Sequence, residues 1–136
     1  MFGMSRSPTA AYAQVSMDVA VEAADPHRLI LMLYDGATAA IASARGALAR
    51  REYGPKGEAI SKAINIINDG LIASLNVEAG GDIAERLAAL YEYMSHRLIW
   101  ANAKNDDSAL EEVSTLLLDL RSAWAEIGKP SQDGAQ

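Results

Sequence analysis

The chain has 136 residues, half of them hydrophobic, and a formal net charge of −6. That is long enough for one buried core and too apolar for a wholly disordered chain, and the acidic balance gives no electrostatic footprint for DNA or RNA. With no cysteine, disulfides, thiolate nucleophiles and Cys-ligated zinc are excluded, and 4 Pro and 10 Gly suit a helical protein better than a turn-rich β fold.

Residues 1–16 lack the continuous apolar core of a secretory signal, and no stretch is apolar enough to span a membrane. The expected compartment is therefore the cytoplasm, with no membrane insertion. Residues 1–24 are expected to form an N-terminal arm. Tyr12, Val15, Val19 and Ala23 share a helical face, yet Val15, Met17, Val19 and Val21 also alternate with Ser16, Asp18, Ala20 and Glu22 as in a strand. A segment with two compatible periods is weakly committed to either. Two roles stay open for it: an arm packed on the rest of the chain, and a lid that can leave its site.

The first helix is predicted over 26–50. Asp25 can cap it, and Pro26 sits where a missing N–H costs nothing. Ile30, Leu33, Tyr34, Ala37, Ile41, Ala44 and Leu48 form its core stripe. A second uncharged stripe follows Leu29, Met32, Gly36, Ala40, Ser43 and Ala47. Small residues dominate it, so it reads as a shallow trough that the rest of the chain or a partner must cover. His27 and Arg28 oppose the dipole of this first turn, and solvent exposure is the simpler reading of both.

Arg51-Glu52-Tyr53-Gly54-Pro55 breaks the chain, and a second helix is predicted over 56–78, stopped by Gly80-Gly81. Its core stripe is Ile60, Ile64, Ile67, Leu71 and Leu75. It too has a second stripe of small residues, which includes Ile66 and Val77. The cations Arg45, Arg50, Arg51 and Lys56 around the break read as solvated complements to a helix end. Asp82 can cap a third helix over 82–103, with Ile83, Leu87, Leu90, Tyr91, Met94, Leu98 and Ala101 inward. Tyr93 and Trp100 share another face, either core or an exposed aromatic edge. Asn105-Asp106-Asp107 is a capping turn. The fourth helix then runs to residue 127 with the cleanest spacing in the chain: Leu110, Val113, Leu117, Leu120, Trp124 and Ile127.

Connections this short force neighbours to be antiparallel. The expected fold is all-α, an antiparallel up-down-up-down four-helix bundle over 25–127 with a short N-terminal arm over 1–24. Residues 128–136 have no apolar period and are expected to be a flexible tail.

Nothing in these helices converges for catalysis. The core stripes hold no polar groups beyond tyrosine hydroxyls. A di-iron bundle needs two Glu-x-x-His motifs and further inward Glu, whereas Glu92 and His96 fall once, on an outer face. There is no phosphate loop, dinucleotide fingerprint or zinc spacing. The chain is expected to be no enzyme and to need no cofactor, metal or nucleotide.

The segments A-Y-A-Q-V-S, D-P-H-R-L-I-L-M-L-Y-D-G-A, K-G-E-A-I-S-K-A-I-N-I-I-N-D-G-L, E-A-G-G-D-I-A-E-R-L-A-A-L-Y-E-Y-M-S-H-R-L, A-N-A-K-N-D and a late A-W occur in this order between residues 11 and 124. Together they resemble the bacterial flagellin export chaperones, the FliS family. L-Y-D-G with G-G-D-I-A and L-Y-E-Y-M is specific in combination. Asp25 stands where many members have Ser, an equally good cap. The resemblance implies a four-helix bundle that binds the C-terminal segment of flagellin, prevents premature polymerisation and presents the client to an export-gate component of the flagellar secretion apparatus. It also implies a partly movable arm, with Tyr12 as the matching aromatic.

The partner-binding residues expected on these grounds are Tyr12, Leu29, Met32, Gly36, Ala40, Ser43, Ala47, Ile66 and Val77. The alternative is another helical interaction module, including a homodimer that buries its troughs against itself.

Overall fold

Asp25 begins the first helix as its side chain allows: Oδ1 accepts the Arg28 amide at 2.7 Å, and Pro26 is the first helical residue. In the computed structural model the described residues are 25–128. The expected arm with Tyr12 and the expected tail beyond Gly128 lie outside them. Helix α1 is Pro26–Ala49. Arg51 then takes a left-handed turn (φ 60°), and α2 is Tyr53–Asn65. It starts earlier than predicted because Pro55 falls within its first turn, where no helical N–H is needed. Without a break, α2 widens into a π-helical stretch, Ile66–Ile72.

The second connection differs from expectation. Helix α3 is Val77–Lys104, and Asn76 caps it through an Oδ1 bond from the Ala79 amide at 3.1 Å. The Gly80-Gly81 pair does break regular helix, since Gly81 sits at φ 57°, ψ −134°, but it does so inside α3 rather than before it. Asn105 turns the chain in the left-handed region, and Asp106 caps α4, Asp107–Gly128, by accepting the Ser108 amide at 3.0 Å.

The four helices form the antiparallel bundle. Helix α1 packs between α2 and α4, and α3 closes the ring against α4 and the α2 π stretch. The core follows most of the predicted stripes and also takes in Ala40 and Ala63 of the second stripes. Ile41, Ile60, Ile67, Met94, Leu98, Leu110, Val113 and Leu117 are fully buried. Fully burying one such side chain contributes roughly 1.5–3 kcal/mol. Two predicted core residues are not in it. Ile83 is 71% exposed just past the Gly81 break, and Ile127 is 71% exposed in the last turn of α4, where the neighbouring helices no longer reach.

Polar clasps close the end of the bundle where α1 finishes. Lys56, expected to be solvated, is buried: its Nζ donates to the Asn102 carbonyl at 2.9 Å and to Asn105 Oδ1 at 2.6 Å. Arg45 meets Asp107 with two parallel bonds of 2.8 and 2.9 Å.

Candidate interaction site

The opposite end is open. There an apolar cleft of about 470 Å³ lies between the four helices. Helix α1 supplies Leu29, Ile30 and Tyr34; the π stretch of α2 supplies Leu71 and the connection after it Leu75; α3 supplies Ile83, Ala84 and Leu87; α4 supplies Trp124. The local sequence explains the opening. Regular α3 begins only after Gly81, and a Cβ on Gly80 would lie 2.7 Å from the Ala84 Cβ. Small residues thus let the first turn of α3 fold back over the cleft without filling it.

The rim is pinned by a reciprocal clasp between the two ends of the chain's described part. Trp124 Nε1–H donates to the His27 carbonyl at 2.9 Å, and His27 Nε2–H donates to the Trp124 carbonyl at 2.6 Å. The rings stack at 5.1 Å. His27 is therefore not the solvated side chain its position suggested. The floor holds Tyr34 and Tyr91, whose hydroxyls are 2.6 Å apart. Burial pushes both phenols above their ordinary pKa; the bond to Tyr91 partly offsets this for Tyr34, and the bond to Tyr34 adds to it for Tyr91. They stay protonated at any physiological pH.

The two second stripes meet a different fate: they face each other. A Cβ on Gly36 would lie 3.3 Å from Ile66 Cδ1, and one on Gly70 would lie 2.8 Å from Leu33 Cδ2. Small residues bring α1 and α2 close, as at any tight helix crossing. Of the expected partner-binding residues, Ala40 and Ala47 are buried. Gly36, Ala40 and Ser43 border a furrow of about 380 Å³ with Ala59 and Lys62. Ile66 borders a wider, polar furrow of about 1040 Å³ with Glu58, Ser61, Asn65 and Asp69. Met32 is half-buried. Leu29 alone lines the cleft, and Val77, 45% exposed, stands beside its lining residues Asn76 and Ala79. The trough read from the sequence is thus closed along much of its length by α2.

Elsewhere, Tyr93 and Trp100 form an exposed aromatic edge on α3, where Tyr93 donates to Glu112 at 2.5 Å and Trp100 Nε1–H donates to Asp106 at 3.2 Å. Among the described residues, no three His, Asp or Glu side chains gather as a metal site would require. Among them too, no helix is long and apolar enough to cross a membrane.

Residues 8–131 match the family described as Flagellar protein FliS. The chain is 53% identical over 117 residues to the flagellar secretion chaperone FliS of Salmonella typhimurium, covering 86% of this chain and 87% of that protein. It is 50% identical over 113 residues to FliSB of Pseudomonas aeruginosa, covering 83% and 89%. It is 36% identical over 120 residues to FliS of Bacillus subtilis, covering 88% and 84%. A match over this much of the chain, on a four-helix bundle with an open apolar end, settles the kinship: the chain belongs to the FliS family of flagellar proteins.

Proposed function

We propose that this chain is a cytosolic export chaperone that holds the C-terminal segment of flagellin and delivers it to a component of the flagellar export gate. It works as a chaperone and not as an enzyme. The observation that carries the reading is the apolar cleft at the open end, since an apolar partner seated there removes its surface from water. An amphipathic client helix supplies that filling by the helix-in-groove mode. Bound client is held below its assembly threshold by mass action, and release requires only competing contacts at the gate.

Leu29 and Val77 are the expected partner-binding residues best placed for this seat. The furrows along α1 and α2, bordered by Gly36, Ser43 and Ile66, with Met32 on the same stripe, suit a weaker extension of the same client. Tyr12 belongs to the arm, which we propose covers the cleft until the client arrives.

Calorimetric titration with a flagellin C-terminal peptide tests this. Leu29→Glu places a charge that binding must desolvate. It is expected to weaken binding by roughly 1–3 kcal/mol, about ten- to a hundredfold. Deleting residues 1–22 is expected to speed client association. Wild-type affinity in a folded Leu29→Glu variant would move the client off the cleft, and a doubled mass without client would assign the cleft to a second copy of the chain.

A further inference from the structure

The hydroxyls of Tyr34 and Tyr91 are 2.6 Å apart, and both residues line the cleft while being only 3% and 2% exposed. Each hydroxyl carries one proton. The bond between them uses one of the two. Among the described residues, neither hydroxyl bonds to any other group. Among the described residues, one O–H donor is therefore left without an acceptor, in a mostly apolar cleft that Ser74 and Asn76 also line. A buried donor without an acceptor is costly, and two phenylalanines would fill nearly the same volume without that cost.

We propose that this leftover hydroxyl proton is a specificity element that selects a client segment carrying an acceptor oxygen into the cleft with its apolar side chains. The proposal rests on the reading of the cleft as the client's seat. The discrimination comes from the asymmetry of hydrogen bonding. A client with an acceptor completes the pair, whereas a purely apolar client expels water and strands the donor. Either tyrosine can donate to the other, so the free proton can be presented from either ring. The acceptor oxygen is a side-chain oxygen of Ser, Thr, Asn or Gln, or an unpaired carbonyl in the last turn of a client helix.

The test uses the full chain and a flagellin C-terminal peptide, with Tyr34→Phe, Tyr91→Phe and the double variant compared by calorimetry. Circular dichroism and thermal melting follow the fold. Each single variant keeps one hydroxyl and its proton, so each is expected to bind within about threefold of the parent. The double variant is expected to bind about tenfold more weakly, the loss of one buried hydrogen bond, without melting below the single variants. A purely structural pair gives the opposite pattern: each single variant loses as much as the double, and the loss follows the melting temperature. That pattern, or parent-like binding by the double variant, overturns the proposal. Alanine replacement of each polar side chain in the peptide separates the two sources. One replacement that abolishes the difference between parent and double variant identifies a side-chain acceptor; a difference that survives them all identifies a carbonyl. Leu29→Glu separates this proposal from the reading beneath it. If Leu29→Glu binds poorly while the double variant binds like the parent, the cleft is the seat and the donor is idle. If both bind like the parent, the client sits elsewhere and both readings fall.

Discussion

The α1–α2 seam and the cleft at the open end are built from the same kind of residue and serve opposite ends. Both draw on small residues, Gly36, Ala40 and Ala59 in the seam and Ala79, Gly80 and Ala84 in the cleft. In the seam, a helix directly opposite fills the space: Ile66 sits over Gly36 and Leu33 over Gly70. In the cleft, regular helix is broken at Gly81 and no side chain among the described residues fills the gap. Small residues thus do not mark a binding surface by themselves. What decides is whether a neighbouring helix continues at the right height to cover them.

That difference also sets what was legible in the sequence. The caps at Asp25 and Asp106 and, short of Ile127, the core stripes of α1 and α4 follow local rules, and the structure has them where the rules put them. Periodicity says which residues share a face. It does not say what lies across from that face, so the trough of α1 could not be told from a seam. Contacts distant in sequence were equally hidden. His27 finds Trp124 97 residues on, and Lys56 finds Asn105 49 residues on. The glycine pair at 80–81 reads as a stop because positive φ ends many helices, but Asn76 offers an earlier cap and the helix resumes beyond the break. A half-satisfied tyrosine pair at the cleft floor leaves no trace in a hydrophobic pattern, where Tyr counts as apolar.

The sharpest separation of fold from binding lies in the packed middle. Leu117 is fully buried in α4 and lines neither furrow nor cleft. Leu117→Ala is expected to cost roughly 2–5 kcal/mol of stability through the cavity it leaves. Client affinity of the folded protein should stay at the parent value. Denaturant unfolding and titration measured on one sample check both halves. A large affinity loss at full helicity would extend the binding surface along α4 beyond Trp124 and remove the distinction between scaffold and site.

The seam gives a smaller and more pointed test. Gly36→Leu puts a side chain where even a Cβ is 3.3 Å from Ile66. Overpacking of this kind costs roughly 1–3 kcal/mol. The seam reading expects that loss in unfolding free energy, with client binding weakened less than by Leu29→Glu. The reverse result, unchanged stability with a tenfold loss of affinity, would make the furrow beside Gly36 a principal client seat and reduce the cleft to an accessory.

The smallest effect belongs to the clasped end, away from the cleft. Arg45 holds the Asp107 carboxyl below its ordinary pKa, chiefly through their side-chain hydrogen bonds. Tyr93, then Arg97, does the same for Glu112, and Ser108 leads the contacts that lower Asp106. A carboxylate with a depressed folded-state pKa binds fewer protons folded than unfolded. Its contribution is therefore complete above the unfolded pKa, near 4, and is lost as pH falls through the lower folded value. Melting temperature should accordingly decline as pH falls below about 4.5. Both partners of the Arg45–Asp107 pair are well exposed, at 37% and 50%, so solvent screening limits it to under about 1 kcal/mol. Asp107→Asn should lower the melting point by a few degrees at most at pH 7, and the gap between the parent and variant curves should narrow as pH falls below about 4. Curves that stay parallel down to pH 3 would show that the pair contributes nothing through its charge, leaving the buried Lys56 bonds to hold that end closed.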